Sequence, residues 1–230
     1  MLSKRLKRVA DYLQHPVYFA DIGSDHAYLP CYICREDPEA KAIAGEVNDG
    51  PYNRAKKTVE ENELTDRIQV RKGNGLEIIS PKDLLNQITI AGMGGKLIRS
   101  ILDKDKEKLM NVTRLILQPN IDADLLRGWL VNNYYHIAAE EILEEDGYIY
   151  EILVADKVNE KAVLTEKERL FGPKLLMERN KVFLKKWKSE REKRIKLLES
   201  MKKAKQVPSD KIAHWEKEIQ MIEEVISPYD

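Results

Sequence analysis

The chain has 230 residues, 43% of them hydrophobic, with 39 Lys and Arg against 39 Asp and Glu, which suits one sizeable α/β unit plus an appendage. No run approaches the ~18 apolar residues of a membrane span, and the basic first eight residues lack the hydrophobic stretch and small-residue cleavage site of a signal peptide. A cytoplasmic protein is expected, with its charge unevenly spread: residues 156–230 carry 19 basic against 14 acidic groups, and the remainder holds the matching acidic excess.

In chain order, Leu2, Leu6, Val9 and Leu13 recur at helical spacing with Lys4, Arg5, Lys7 and Arg8 around the outer face, so an amphipathic helix is expected before Pro16. Residues 17–22 are a short apolar run that ends in Asp21-Ile22-Gly23, which predicts a buried parallel strand, a tight turn and a helix over about 27–35. A strand, a turn that can bring backbone N–H groups against a ligand and a helix N-terminus form a nucleotide-type corner. Asp25 stands where a dinucleotide fingerprint wants glycine, so no pyrophosphate is expected there. Residues 41–47 read as a second strand that ends in Gly45-Glu46, and an acid ~20 residues past the first turn suits the two hydroxyls of a ribose. A ribose without a diphosphate points to S-adenosylmethionine, a cationic ligand that tolerates Asp21 nearby where a pyrophosphate would not. The alternative is that Asp21 and Asp25 are helix caps and Glu46 an exposed strand end.

Cys31 and Cys34 form a C-x-x-C about one turn inside the first of these helices, away from the dipole that would lower a thiol pKa. No second cysteine pair exists to complete a zinc site. Buried packing is expected, and no metal. Asp49-Gly50-Pro51 starts a helix that runs to about residue 62. Residues 67–71 are a third strand closed by Gly73-Asn74-Gly75-Leu76, where the Asn74 amide can meet an adenine edge or simply make a turn.

Residues 87–91 form a fourth strand that enters Gly92-Met93-Gly94-Gly95. Three glycines in four residues let a reacting methyl and its acceptor approach the backbone, unless Gly94 and Gly95 only start the helix over 96–102. Residues 114–117 are a fifth strand ending in Gln118-Pro119-Asn120, followed by a helix over 123–132. Residues 136–143 and 148–155 then read as a hairpin around Glu144-Glu145-Asp146-Gly147.

From Leu164 the pattern is helical to about residue 204, with a break at Gly172-Pro173 and a turn at Val207-Pro208-Ser209-Asp210. Leu184, Trp187, Ile195, Leu198 and Met201 face Ile212, Trp215, Ile219, Ile222 and Ile226, the seam of an antiparallel hairpin. Lys185, Lys186, Lys188, Arg191, Lys193, Arg194, Lys196, Lys202, Lys203 and Lys205 meet only three glutamates over 185–205. Such a stripe either neutralises a phosphate backbone or is a solvated outer face.

Asp21-Ile22-Gly23-Ser24-Asp25-His26-Ala27-Tyr28-Leu29-Pro30, Gly45-Glu46-Val47 with Gly50-Pro51, Gly73-Asn74-Gly75-Leu76, Ile90-Ala91-Gly92-Met93-Gly94-Gly95 and Leu117-Gln118-Pro119-Asn120 together resemble the bacterial TrmK family, tRNA adenine-N1 methyltransferases acting at position 22. The resemblance implies an α/β fold: a class I Rossmann-like methyltransferase sheet, mostly parallel with an antiparallel last strand, over 1–158, and an α-helical coiled-coil hairpin over 159–230 that helps hold tRNA. S-adenosyl-L-methionine is the implied donor and tRNA the implied partner, with no membrane, no metal and a monomer. Carried residue by residue, Asp21, Gly23 and His26 line the methionine side, Glu46 the ribose, and Asn74 and Leu76 the adenine, with Val47 and Gly75 also expected to bind the cofactor. Ala91, Gly92 and Met93 floor the reaction centre, with Asp25, Tyr28 and Asn120 as the catalytic set. Arg5, Arg8, Lys185, Lys186, Arg191 and Arg194 are expected to contact tRNA.

The residues agree with N1 as the acceptor. Adenine-N6 methyltransferases use Asn or Asp, two prolines and an aromatic after the fourth strand, and here Ala91 to Gly94 replace them. N1 has an in-plane lone pair and loses no proton on methylation, so alignment rather than a general base is expected, with Asp25 stabilising the cationic product and Tyr28 or Tyr52 stacking on a flipped base. Rival readings are a methyltransferase for another RNA, a protein or a small molecule, a nicotinamide oxidoreductase, and a non-enzymatic scaffold.

Overall fold

In the computed structural model, residues 2–202 and 209–227 are described. Seven strands form one sheet in the order β3-β2-β1-β4-β5-β7-β6. β1 (Tyr18–Ile22), β2 (Lys41–Glu46), β3 (Ile68–Lys72), β4 (Gln87–Met93) and β5 (Arg114–Pro119) are parallel. β6 (Tyr135–Glu145) and β7 (Tyr148–Lys157) make the hairpin, and β7 inserts antiparallel beside β5. The central strands are apolar without alternation because both faces are covered. Ile22, Ile90 and Leu117 pack under α4 (Gly95–Lys104) and α5 (Ala123–Asn132), while Phe19, Ala44 and Ile116 pack under α1 (Lys4–Asp11), α2 (Tyr28–Glu36) and α3 (Asp49–Glu61).

The chain reverses its winding between β1 and β4, and in doubly wound sheets the ligand crevice opens at the carboxyl ends of such a pair. Here those ends carry Gly23 and Met93. The strand expectations hold to within a few residues. The fourth is longer than expected because Gly92, at φ +77°, forms a bulge against β5 that carries pairing on to Met93. α1 is shorter, capped by the Ser3 hydroxyl, which accepts the Leu6 N–H at 3.3 Å.

The helical C-terminal part is not one long rod. The expected break at Gly172-Pro173 separates α6 (Glu166–Phe171) from α7 (Pro173–Glu178). Gly172 is required there: at φ +93°, any Cβ would come within 2.6 Å of the Glu140 carboxylate and 2.7 Å of Arg127. A second break was not anticipated. Arg179 turns left-handed at φ +45°, and Asn180 Oδ1 then caps α8 (Lys181–Lys202) by accepting the Phe183 N–H at 3.0 Å. α8 packs against α9 (Ser209–Ile226) in antiparallel register, with Arg194 paired to Glu218 at 2.9 Å and Lys202 to Glu216 at 2.7 Å. The expected turn at 207–208 and Lys203 and Lys205 of the basic stripe lie outside the described residues.

Residues on both sides of position 158 share one apolar cluster. Phe171, Phe183, Trp187, Ile222 and Ile226 bury themselves together with Ile142 of β6. Beneath them Arg127 of α5, wholly sealed from solvent, donates to Glu140 at 2.6 Å and Glu151 at 2.6 Å, and to the carbonyls of Arg169 and Leu170. The helix pair is thus joined to the sheet by an apolar layer and a buried ion cluster.

Candidate active site

The loop between β1 and α2 is strained. Gly23, Asp25, His26 and Ala27 all have positive φ, 68°, 43°, 69° and 58°. Three consecutive non-glycine residues in the left-handed region cost free energy that only a functional demand or dense support sustains. Support comes from Gly45, whose carbonyl accepts the N–H groups of Gly23 and Ser24 at 3.0 and 3.1 Å. Further support comes from Asp21, buried at the end of β1, whose carboxylate accepts the Ser24 and Thr89 hydroxyls at 2.6 Å each. Burial pushes its pKa up, and the two hydroxyls partly offset the rise. Asp21 therefore lines the crevice and also locks the turn.

Glu46 ends β2 next to this loop and is almost fully buried, with Oε1 lacking any hydrogen-bond partner. Desolvation raises its pKa, the Asp25 backbone offsets part of the rise, and repulsion from Asp25 and Asp21 adds to it. A buried carboxylate oxygen with nothing to bind is costly, and a ligand hydroxyl would satisfy it. Val47 beside it is exposed. On the next strand end, Asn74 is exposed, with its N–H donating to Glu77 at 3.0 Å, and Gly75 opens a short 3₁₀ turn at φ +61°. Leu76 departs from its expected role: its side chain is wholly buried in the core, so only its backbone can face a ligand.

A cleft of about 650 Å³ opens between the β1 and β4 ends, lined by Asp21, Gly23, Asp25, Ala91, Gly92, Met93 and Asn120. The thioether of Met93 lies directly over Gly23, so that a Cβ at position 23 would overlap its methyl. Asn120 is fixed at the opposite lip. Its N–H donates to Met93 O at 2.8 Å, Nδ2 donates to Gly92 O at 2.9 Å, and Oδ1 accepts from Gln118 Nε2 at 3.3 Å. Asp25 is largely exposed, 3.4 Å from His26 Nε2. Tyr28 does not line this cleft; its ring rests beside His26, centroids 5.3 Å apart.

Residues that sequence patterns did not single out for the cleft also belong to its wall, among them Ile121, Tyr148 and Tyr150. The last two come from the start of β7, which reaches the cleft only because β7 inserts beside β5. Arg5 also lines it, and not as part of an outer face. Its guanidinium donates to Gln118 Oε1 and lies 5.1 Å from the Tyr150 ring centroid. Arg8 stays largely exposed while pairing with Glu141 at 2.7 Å and with Asp11 at 2.7 Å. Arg5 departs from the solvent-facing role expected of a basic helix face.

The basic stripe is similarly divided. Lys186 is paired with buried Glu151 and lies 4.9 Å from the Trp187 ring. Arg194 pairs with Glu190 and Glu218 and is held between the rings of Trp187 and Trp215, at 5.8 and 5.4 Å. Arg191 is half-buried on the same helix. Lys185 and Lys193 are more exposed, in pairs with Glu144 and Glu190. Together with Tyr148 and Asn120, Lys185, Lys186, Lys193 and Arg194 line a second groove, about 600 Å³, that continues the cleft toward α8.

Cys31 and Cys34 are free and buried, with burial pushing both thiols up to about 11. Among the described residues no cluster of His, Cys, Asp and Glu is arranged to hold a metal ion, and no helix is long and apolar enough to cross a membrane.

A family model for TrmK, described as tRNA (adenine(22)-N(1))-methyltransferase, matches residues 19–224. The tRNA (adenine(22)-N(1))-methyltransferase of Bacillus subtilis is 50% identical over 193 residues, 82% of this chain and 81% of that protein. The crystal structure of the B. subtilis m1A22 tRNA methyltransferase TrmK superposes with a TM-score of 0.91 at 43% identity, covering 98% of this chain and 99% of that one. Streptococcus pneumoniae Sp1610, a putative tRNA (m1A22) methyltransferase solved with S-adenosyl-L-methionine, gives a TM-score of 0.88 at 44% identity, covering 98% and 100%.

Proposed function

The chain belongs to the TrmK family of tRNA (adenine(22)-N(1))-methyltransferases and methylates adenine N1 in tRNA from S-adenosylmethionine; on that premise we propose how its residues divide the work. The observation that carries the assignment is Glu46, a buried carboxylate with an unpartnered oxygen at the end of β2. With the exposed Asn74 amide one strand away and the Gly23 turn on the other side, it fits the ribose, adenine and methionine portions of that donor in turn.

Bound there, S-adenosylmethionine supplies a sulfonium methyl that passes to N1 as the carbon–sulfur bond breaks and sulfur keeps the electron pair. The protein has no proton to remove, because N1 attacks through its lone pair and the charge moves from sulfur to the base. Ala91, Gly92 and Met93 form the floor against which N1 is aligned, and alignment alone is worth several kcal/mol. Asp25, exposed and lining the cleft, faces the adeninium that forms and stabilises it. Tyr148 and Tyr150 offer flat faces inside the cleft for an unstacked base, and the exposed ring of Tyr28 is proposed as a further stacking face.

Lys185 and Lys193, along the groove that leaves the cleft, and Arg191 on the same helix are proposed to follow the tRNA backbone. Lys186 and Arg194 hold the helix pair in place for them, and Arg5 and Arg8 fix α1 as the cleft wall. We further propose that the protein acts as a monomer in the cytoplasm. Phe183 and Trp187 of α8 and Ile222, Val225 and Ile226 of α9 are buried with Ile142 of the sheet, which supports the monomer, and tRNA as substrate supports the location. Mapping the methylated nucleotide after incubating the protein with unmodified tRNA and labelled donor tests the proposal: label at N1 of adenine 22 is expected, and label elsewhere overturns it.

A further inference from the structure

Asn120 is held so rigidly that its unused valences can be counted. Gln118, wholly buried, is itself saturated: Oε1 accepts from Arg5 and from the Gly92 N–H at 3.0 Å, and Nε2 donates to Pro119 O at 3.0 Å and to Asn120. It therefore fixes which side of the Asn120 amide is oxygen. A primary amide has two acceptor positions on oxygen and two N–H donors. Gln118 takes one acceptor position and Gly92 O takes one donor. One of each is left, on an exposed side chain at the lip of the cleft, between Met93 and Tyr148.

We infer that Asn120 reads the target base through its Hoogsteen edge, accepting from the 6-amino group and donating to N7. One acceptor and one donor on a single amide match the donor and acceptor of that edge of adenine, whereas guanine presents two acceptors there, so the Asn120 oxygen would meet O6. Contact on that edge leaves N1 clear for the methyl. The Watson–Crick edge would instead occupy the reacting nitrogen. This rests on the reading that the target adenine enters this cleft. It adds the means by which a site with no Asn-Pro-Pro-aromatic motif selects adenine, and assigns that selection to a residue after the fifth strand.

The test is a double-mutant cycle on single-turnover methylation. Three tRNAs carry adenosine, purine riboside (no 6-amino group) or 7-deazaadenosine (no N7) at the target position, and each is methylated by the wild type, Asn120→Ala and Asn120→Asp. Intrinsic differences in N1 reactivity cancel when ratios are compared between proteins. Each deletion is expected to slow the wild type about tenfold more than it slows Asn120→Ala, the size of one hydrogen bond in a site built for it. Asn120→Asp keeps the acceptor, so it retains discrimination against purine riboside and loses that against 7-deazaadenosine. Ratios that are the same in the wild type and Asn120→Ala overturn the assignment while leaving the cleft as the site of transfer. Label absent from the target adenosine with the wild type overturns both.

Discussion

Arg127 Nε lies 2.6 Å from Glu140 Oε1, with both side chains sealed from solvent, and the same guanidinium reaches Glu151 at 2.6 Å. Glu140 is held up by burial, Arg127 partly offsetting the rise, while Glu151, despite its burial, is held below its usual range by Lys186 and Arg127. Removing the cation leaves two buried carboxylates without their shared partner. Arg127→Met is therefore expected to cost about 3–5 kcal/mol and to lower the melting temperature by on the order of 10 °C. Thermal unfolding followed by circular dichroism measures this; a shift under 2 °C would show that the cluster does not join the helix pair to the sheet.

Glu46 is buried at the end of β2 with one carboxylate oxygen unpartnered. Its pKa is raised by burial, so its ionised form destabilises the ligand-free protein above the folded-state pKa, and the penalty disappears as pH falls through that value and the site protonates. Glu46→Gln should accordingly raise the melting temperature of the ligand-free protein at pH 8, with the gain fading toward pH 4. The same variant should weaken S-adenosylhomocysteine binding by roughly tenfold, since a charged acceptor is lost. Calorimetry that found tight binding retained would remove Glu46 from the ribose site.

Gly95 lies so close to the Asp122 carbonyl that a Cβ there overlaps backbone atoms which cannot rotate away. Gly95→Ala should cost about 1–3 kcal/mol, by pushing α4 from the loop that follows Asn120, and should slow single-turnover methylation. Gly50→Ala, where only the end of the Arg54 side chain is near, serves as the control and should leave the rate unchanged.

Cys31 and Cys34 should not react with a thiol reagent in the folded protein at pH 8, because burial pushes both up to about 11 and hides them. Unfolding in guanidinium should release two reactive thiols. Rapid labelling of either in the native state would reopen a redox role for the pair.

tRNA affinity should fall steeply with salt. Lys185→Glu is expected to weaken binding several-fold without changing the melting temperature, since its pair with Glu144 is exposed. Arg194→Glu should instead lower the melting temperature, because it breaks contacts to Glu190, Glu218 and two tryptophans. Filter binding and thermal melts on the two variants separate a contact to tRNA from a support of the helix pair.

Much of this was readable along the chain because it depends on neighbours in sequence. Apolar runs located the first five strands, four of them closed by acid or glycine, and their shared parallel direction leads to the expectation of Asp21, Glu46, Asn74 and Met93 on one rim. The break at Gly172-Pro173 followed from local chemistry alone. The break at Arg179 did not, since neither Arg nor Asn at that point differs from an ordinary helix residue until the next turn must bend onto Ile142.

The amino-acid sequence by itself determined the alternation of strand and helix and the family, because turns, caps and strand ends are short-range commitments of the backbone. Tertiary structure alone decided which charges were free. Arg5 turned inward to Gln118, and Arg8 was drawn into a pair with Glu141, because α1 packs beside β5 and β6. Lys186 was drawn to Glu151 because β7 inserts beside β5. The same insertion carries Tyr148 and Tyr150 to the cleft, a juxtaposition across some 120 residues of chain that no spacing rule encodes. A cation's partner is set by what folding places within a few ångströms, and long-range strand order governs that distance.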